Sequence, residues 1–149
     1  GDAALERNTL RSIGLLRWHE ERHEEALAIT QSALAIDRER GDELAVAGDL
    51  ANLGVIYKSR GDYARAVASF EEALSMPAFA QDPSTLVYSL QNLADVHREL
   101  GDLDRALEHL QRGNEISSAR LLPIQRSFHL MAIAHVLLQQ GRVEGSLQA

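Results

Sequence analysis

The run His19-Glu20-Glu21-Arg22-His23 satisfies the H-E-x-x-H pattern, in which two histidines one helical turn apart hold zinc and the Glu serves as general base. That chemistry needs all five residues in one helix. The repeat register described below puts Glu21 in a turn, which separates the two histidines, and only a fusion of the flanking helices would align them. His97, His109, His129 and His135 show no metal-ligand spacing, and there is no P-loop, G-x-S-x-G or G-x-G-x-x-G. With no Cys, disulfides, iron–sulfur clusters, thiolate zinc sites and a cysteine nucleophile are all excluded. The sequence therefore predicts no catalytic residues, no metal and no cofactor, and the chain is expected not to be an enzyme. Arg40-Gly41-Asp42 and Arg60-Gly61-Asp62 spell an adhesion tripeptide, but there the Gly-Asp pair stops one helix and starts the next.

Composition narrows the partners further. The 149 residues carry 15 Lys+Arg against 22 Asp+Glu, a formal charge of −7, with 45% hydrophobic and 5% aromatic residues. An acidic chain of pI about 5.3 lacks the concentrated basic face that nucleic acid requires. All the cations but Lys58 are Arg, which suits planar recognition of carboxylates but also follows from a GC-rich coding sequence. The longest nearly apolar run, 130–138, is broken by His135 and is too short to span a bilayer. No export signal opens the chain, so a cytoplasmic location is expected. The amphipathic pattern still running at 146–149 is expected to continue in a longer protein.

What must position any functional residue is a repeat of forty. Leu10, Leu50, Leu90 and Leu130 are spaced by forty, as are Ile13, Leu53, Leu93 and Ile133, each followed by a small residue at Gly14, Gly54, Ala94 or Ala134. Twelve residues on come Ala26, Ala66, Ala106 and Ser146, with Gly61-Asp62, Gly101-Asp102, Gly141-Arg142 or Glu21-Arg22 between. The first set is an i, i+3, i+4 helical stripe whose small residue admits a neighbouring helix. A Gly ends that helix in the left-handed conformation, and the Asp after it caps the next one. Helices are predicted over 4–19, 23–38, 43–59, 63–76, 84–99, 103–118 and 122–139, with another beginning at 142. Pro83 suits a first helical turn capped by Asp82, which leaves 77–82 as the longest linker.

At these residues the chain resembles the tetratricopeptide repeat (TPR) family. Leu50, Leu53-Gly54, Tyr57, Gly61-Asp62-Tyr63, Ala66, Phe70 and Ala73 fill every slot of its pattern. The third unit has His97 in the aromatic slot and Gly113 in the final small slot; the first has Arg17 and Thr30 where aromatics are expected. The resemblance implies an all-α fold, a right-handed α-solenoid of antiparallel helix hairpins in about three and a half repeats. It forms a single array, with units at 4–42, 43–82, 83–121 and a partial 122–149. One hairpin cannot bury its apolar face alone, whereas stacked hairpins share a core and curve into a concave surface lined by the first helix of each unit.

That concave groove is the expected site, and a non-catalytic module binding a peptide segment or partner helix is the expected function. Helical spacing places Asn8, Arg11, Leu15, Trp18 and His19 on it from the first unit, and Ala51, Asn52, Val55 and Lys58 from the second. Tyr88, Gln91, Asn92, Asp95, Arg98 and Glu99 follow from the third, then Phe128, Met131, His135 and Leu138. The resemblance implies that Asn52 and Asn92 pair with peptide backbone; the alternative is that each bonds a neighbouring helix. Arg11, Lys58 and Arg98 suit a partner with acidic groups, while the family's carboxylate clamp is not reproduced. Trp18, Tyr88, Phe128 and Met131 are candidate anchors or packing residues. Two other readings stand beside this one. The chain could be an effector-sensing arm of a larger signalling or transcription-regulating protein. It could also be a self-assembly module joined through an open C-terminal end at Leu130, Ile133, Leu137 and Leu147.

Overall fold

The computed structural model describes the backbone of residues 2–120 and 122–141, and the side chains from Thr9 onward apart from Arg11, Leu15 and the residues outside that backbone. The expected helix from 142, Ser146 and Leu147, and the side chains of Asn8, Arg11 and Leu15, lie outside the described residues. All described regular structure is helical. The chain divides into two compact units, Gly1–Gln81 and Asp82–Ala149.

The first unit contains α1 (Asp2–His19), α2 (His23–Arg40), α3 (Glu43–Ser59), α4 (Tyr63–Ser75) and a 3-10 turn, Pro77–Gln81. Each helix packs on the one before it. The turns show why. Gly41 and Gly61 hold φ of 68° and 75°, the left-handed region that costs glycine nothing, and the next residue caps the following helix. The Asp42 and Asp62 carboxylates accept from the backbone N–H groups of Ala45 and Arg65 at 3.1 and 3.3 Å. The core these hairpins enclose is narrow. Ala26, Ala33, Ala47, Ala66, Phe70 and Ala73 are fully buried, with Leu50, Leu53 and Ile56 nearly so. A Cβ built at Gly54 would lie 2.7 Å from the Phe70 ring, so the absence of a side chain there is what lets α4 approach α3.

The α1–α2 turn lacks this equipment. Glu21 adopts φ of 59° without being glycine, and Arg22 supplies no side-chain cap to α2. Ion pairs gather there instead: Arg17 with Glu20 at 2.7 Å, and Arg22 with Glu25 at 2.5 Å and Glu20 at 3.3 Å. The Arg17 hydrogen bond holds the Glu20 carboxyl below the ordinary carboxylate range, and the bond to Glu25 raises Arg22. The helices do not fuse, so His19 ends α1, His23 begins α2, and the H-E-x-x-H run is divided by a turn. The 77–82 stretch, expected as a linker, folds into a 3-10 turn against α3 and α4 because Phe79, 1% exposed, is buried by it.

The second unit contains α5 (Pro83–Glu99), α6 (Leu103–Ala119) and α7 (Pro123–Gln139), again packed in succession. Asp82 caps α5 by accepting from the Thr85 amide at 3.1 Å and its hydroxyl at 2.6 Å, with Pro83 in the first turn. Asp102 caps α6 after Gly101 at φ of 79°. Ala94, Ala106, Leu110 and Val136 form the shared core. His97 fills the aromatic slot as expected, buried and stacked on the His109 ring at 5.2 Å between centroids. Gly113 also finds its reason: the His129 ring lies so close that any Cβ would overlap it.

Candidate functional site

A cleft of about 700 Å³ opens between α5 and α7. Its floor and walls come from helical rows. On α5, Ser84, Tyr88, Gln91, Asp95 and Arg98 recur at intervals of four and three residues, which keeps them on one face; on α7, Ile124, Phe128, Met131 and His135 do the same. Corresponding members are forty residues apart, so the repeat that builds the hairpins also sets the two rows side by side. The rows differ in character. Tyr88, Ile124, Phe128 and Met131 are 54–69% exposed, an unusual density of large uncovered apolar groups, whereas Gln91, Asp95 and Arg98 bring polarity from α5.

The polar groups are joined. Gln91 donates to Asp95 Oδ1 at 3.4 Å, and Arg98 Nη1 lies 3.1 Å from His135 Nδ1. Guanidinium has no acceptor, so the imidazole nitrogen must accept and the ring proton resides on Nε2. Arg98 Nη2 stands 3.7 Å from Asp95 and 3.8 Å from Glu99, longer than a charge-assisted hydrogen bond of about 2.7–2.9 Å. His129, at the back of the cleft, is 2% exposed and donates through Nδ1 to the Gln125 carbonyl at 2.8 Å.

Of the residues expected to form a groove, Gln91, Asp95 and Arg98 meet in this cleft, together with Tyr88, Phe128, Met131 and His135. Asn92 lies on the same helix but is buried, its amide donating to the Tyr88 carbonyl at 2.9 Å. In the first unit, Asn52 and Lys58 are half-buried on α3. Trp18 donates from its indole nitrogen to Ser59 Oγ at 3.1 Å. In the second unit, Asp95 and Glu99 flank Arg98. Sequence reasoning missed Ser84 and Ile124, whose signal is their place at the heads of the two four-three rows. Among the described residues, no group of three or more His, Asp and Glu is placed to hold a metal ion. No described helix is long and apolar enough to cross a membrane.

Two tetratricopeptide repeat profiles match the chain, one over residues 5–77 and one over 86–116. The chain belongs to the tetratricopeptide repeat family. Solved structures agree on the TPR-like solenoid fold. BtubC (BKLC) from P. vanneervenii is 23% identical with a TM-score of 0.84 over 97% of this chain. Aspartyl phosphate phosphatase F from Bacillus subtilis is 11% identical with a TM-score of 0.89 over 99%. The TPR chain spans less than two thirds of either, 60% and 39% of their lengths. PcrH, a Pseudomonas aeruginosa protein solved with the chaperone-binding region of PopD, is 19% identical with a TM-score of 0.74; the match covers 89% of this chain and 92% of PcrH. No curated protein sequence matches.

Proposed function

We propose that this TPR chain is a non-catalytic protein-interaction module, and that the α5–α7 cleft takes a peptide segment or partner helix on the face the repeat assigns to the concave groove. The observation that carries this reading is the cluster of Tyr88, Phe128 and Met131, exposed together around one cleft and edged by Gln91, Asp95 and Arg98. Covering the exposed part of one such side chain contributes about 1–2 kcal/mol, and aromatic anchors edged by polar groups are the usual composition of an energetic centre. Asn52, Lys58, Arg11 and Trp18 are assigned to the same role in the first unit, with the asparagine holding peptide main chain. PcrH, solved with a segment of another protein, supports a protein partner. The turn that splits His19 from His23 supports the absence of metalloprotease chemistry.

A displayed-peptide selection on the whole chain tests the reading. Sequences enriched on the wild type should lose at least about tenfold in affinity on Phe128→Glu/Met131→Glu. Equal retention by that folded variant would remove the cleft from the binding surface.

A further inference from the structure

We infer that Arg98 and His135 form a proton-operated latch between the two walls of the α5–α7 cleft: neutral His135 holds Arg98, and imidazolium exchanges that partner for Asp95 and releases the guanidinium. The contact between the helices carries the inference. Arg98 Nη1 lies 3.1 Å from His135 Nδ1. A guanidinium only donates, so this hydrogen bond exists only while Nδ1 keeps its lone pair. A proton on Nδ1 removes the acceptor and sets two cations against each other. Histidine is the side chain whose charge ordinarily changes between pH 5 and 8, and His135 is exposed on the cleft wall, where solvent protons reach it.

The surrounding charges give each state of the latch its partners. From α5, Arg98 Nη2 stands 3.7 Å from Asp95 and 3.8 Å from Glu99, beyond the length of a charge-assisted hydrogen bond. Asp95 occupies on α5 the position that His135 occupies on α7, forty residues on, and both line the cleft. The Gln91 amide reaches Asp95 Oδ1 at a long 3.4 Å, so an imidazolium on the facing wall is the stronger donor. Arg98 then turns to Glu99 or to an anion in the cleft. The other titratable groups there are Tyr88 and His129, whose Nδ1 donates to the Gln125 carbonyl. No charged residue of α7 and no residue of α6 lines the cleft among those described; α6 meets the end of α7 through Asp104, which accepts from Gln140 at 2.9 Å. The functional consequence rests on the cleft being a protein-binding site. A released guanidinium presents paired donors to a carboxylate, so acidification turns the cleft towards acidic ligands while the apolar wall of Phe128 and Met131 is unchanged.

The latch is tested on the intact chain without a ligand. At pH 8, nitrogen-15 NMR of the imidazole should show His135 carrying its proton on Nε2. Urea unfolding of Arg98→Ala, His135→Ala and the double variant should give a favourable coupling of about threefold in the folding constant at pH 8 and none at pH 5. The cycle of Asp95→Ala with His135→Ala should do the reverse, and each cycle cancels titrations outside its pair. A ring protonated on Nδ1 at pH 8, an Arg98–His135 coupling that survives at pH 5, or an Asp95–His135 coupling that never appears overturns the inference. Carboxylate-bearing peptides from the displayed-peptide selection should bind wild type at least about threefold more tightly at pH 5 than at pH 8, whereas His135→Ala should bind them tightly at both. Wild-type affinity that ignores pH also overturns it. If the couplings exchange as expected but the selection yields no cleft-dependent ligand, the latch stands and the interaction-module reading fails.

Discussion

Gly113 and His129 show how one pair of residues sets the packing of a hairpin. The corresponding positions in the first unit are Ala33 and Asp49; in the second, loss of a methyl makes room for a ring. The expected consequence of Gly113→Ala is a loss of about 2–3 kcal/mol by chemical denaturation, since overpacking a filled site outweighs the gain in helix propensity. In the His129→Ala background the same change should cost far less, because the obstructing ring is gone. Glu20 offers a second residue-scale check. Its folded carboxyl lies below the ordinary value because Arg17 hydrogen-bonds it. That interaction is therefore fully present above the unfolded carboxylate pKa and is lost as pH falls through the lower folded one. Side-chain NMR titration should give a midpoint below the ordinary carboxylate range, rising towards it in Arg17→Gln.

At the scale of elements, the turns carry the specification. Where Gly-Asp occurs, the predicted helix ends lie within a residue or two of the observed ones, because left-handed glycine and an aspartate cap each terminate structure for a stated physical reason. The α1–α2 turn tests that account by its exception. Glu21→Gly/Arg22→Asp would install the missing pair, and the expected gain is about 1–2 kcal/mol, from relief of a left-handed glutamate and addition of a cap. Asp62→Ala should cost about 1 kcal/mol. The 3-10 turn at Pro77–Gln81 was not legible as structure. Five residues are too few for periodicity to register, and what holds them is the tertiary burial of Phe79. Sequence spacing likewise placed Asn92 on the right helix but left its contacts open. A residue one helical step round from the cleft wall faces the core, where a hydrogen bond to the preceding turn competes with any ligand.

Across the whole molecule, burial is unevenly distributed. Ten residues of α3 and nine of α5 are buried, against only His129 and Val136 in α7. Repeat arrays open locally where few apolar contacts are made, so amides in α7 should exchange hydrogen at least about tenfold faster than those in α5. A ligand in the cleft should slow them. The forty-residue spacing made most of both cleft walls legible in the sequence, Ser84 and Ile124 excepted, since equal offsets bring like positions together. The depth of the cleft was not, because it depends on how far two helices stand apart. Trp18 is the chain's one tryptophan, and its indole nitrogen bridges α1 to Ser59 on α3. Opening that bridge moves the ring from a fixed hydroxyl partner into water, so its emission is a label-free optical gauge of whether the first hairpin remains seated.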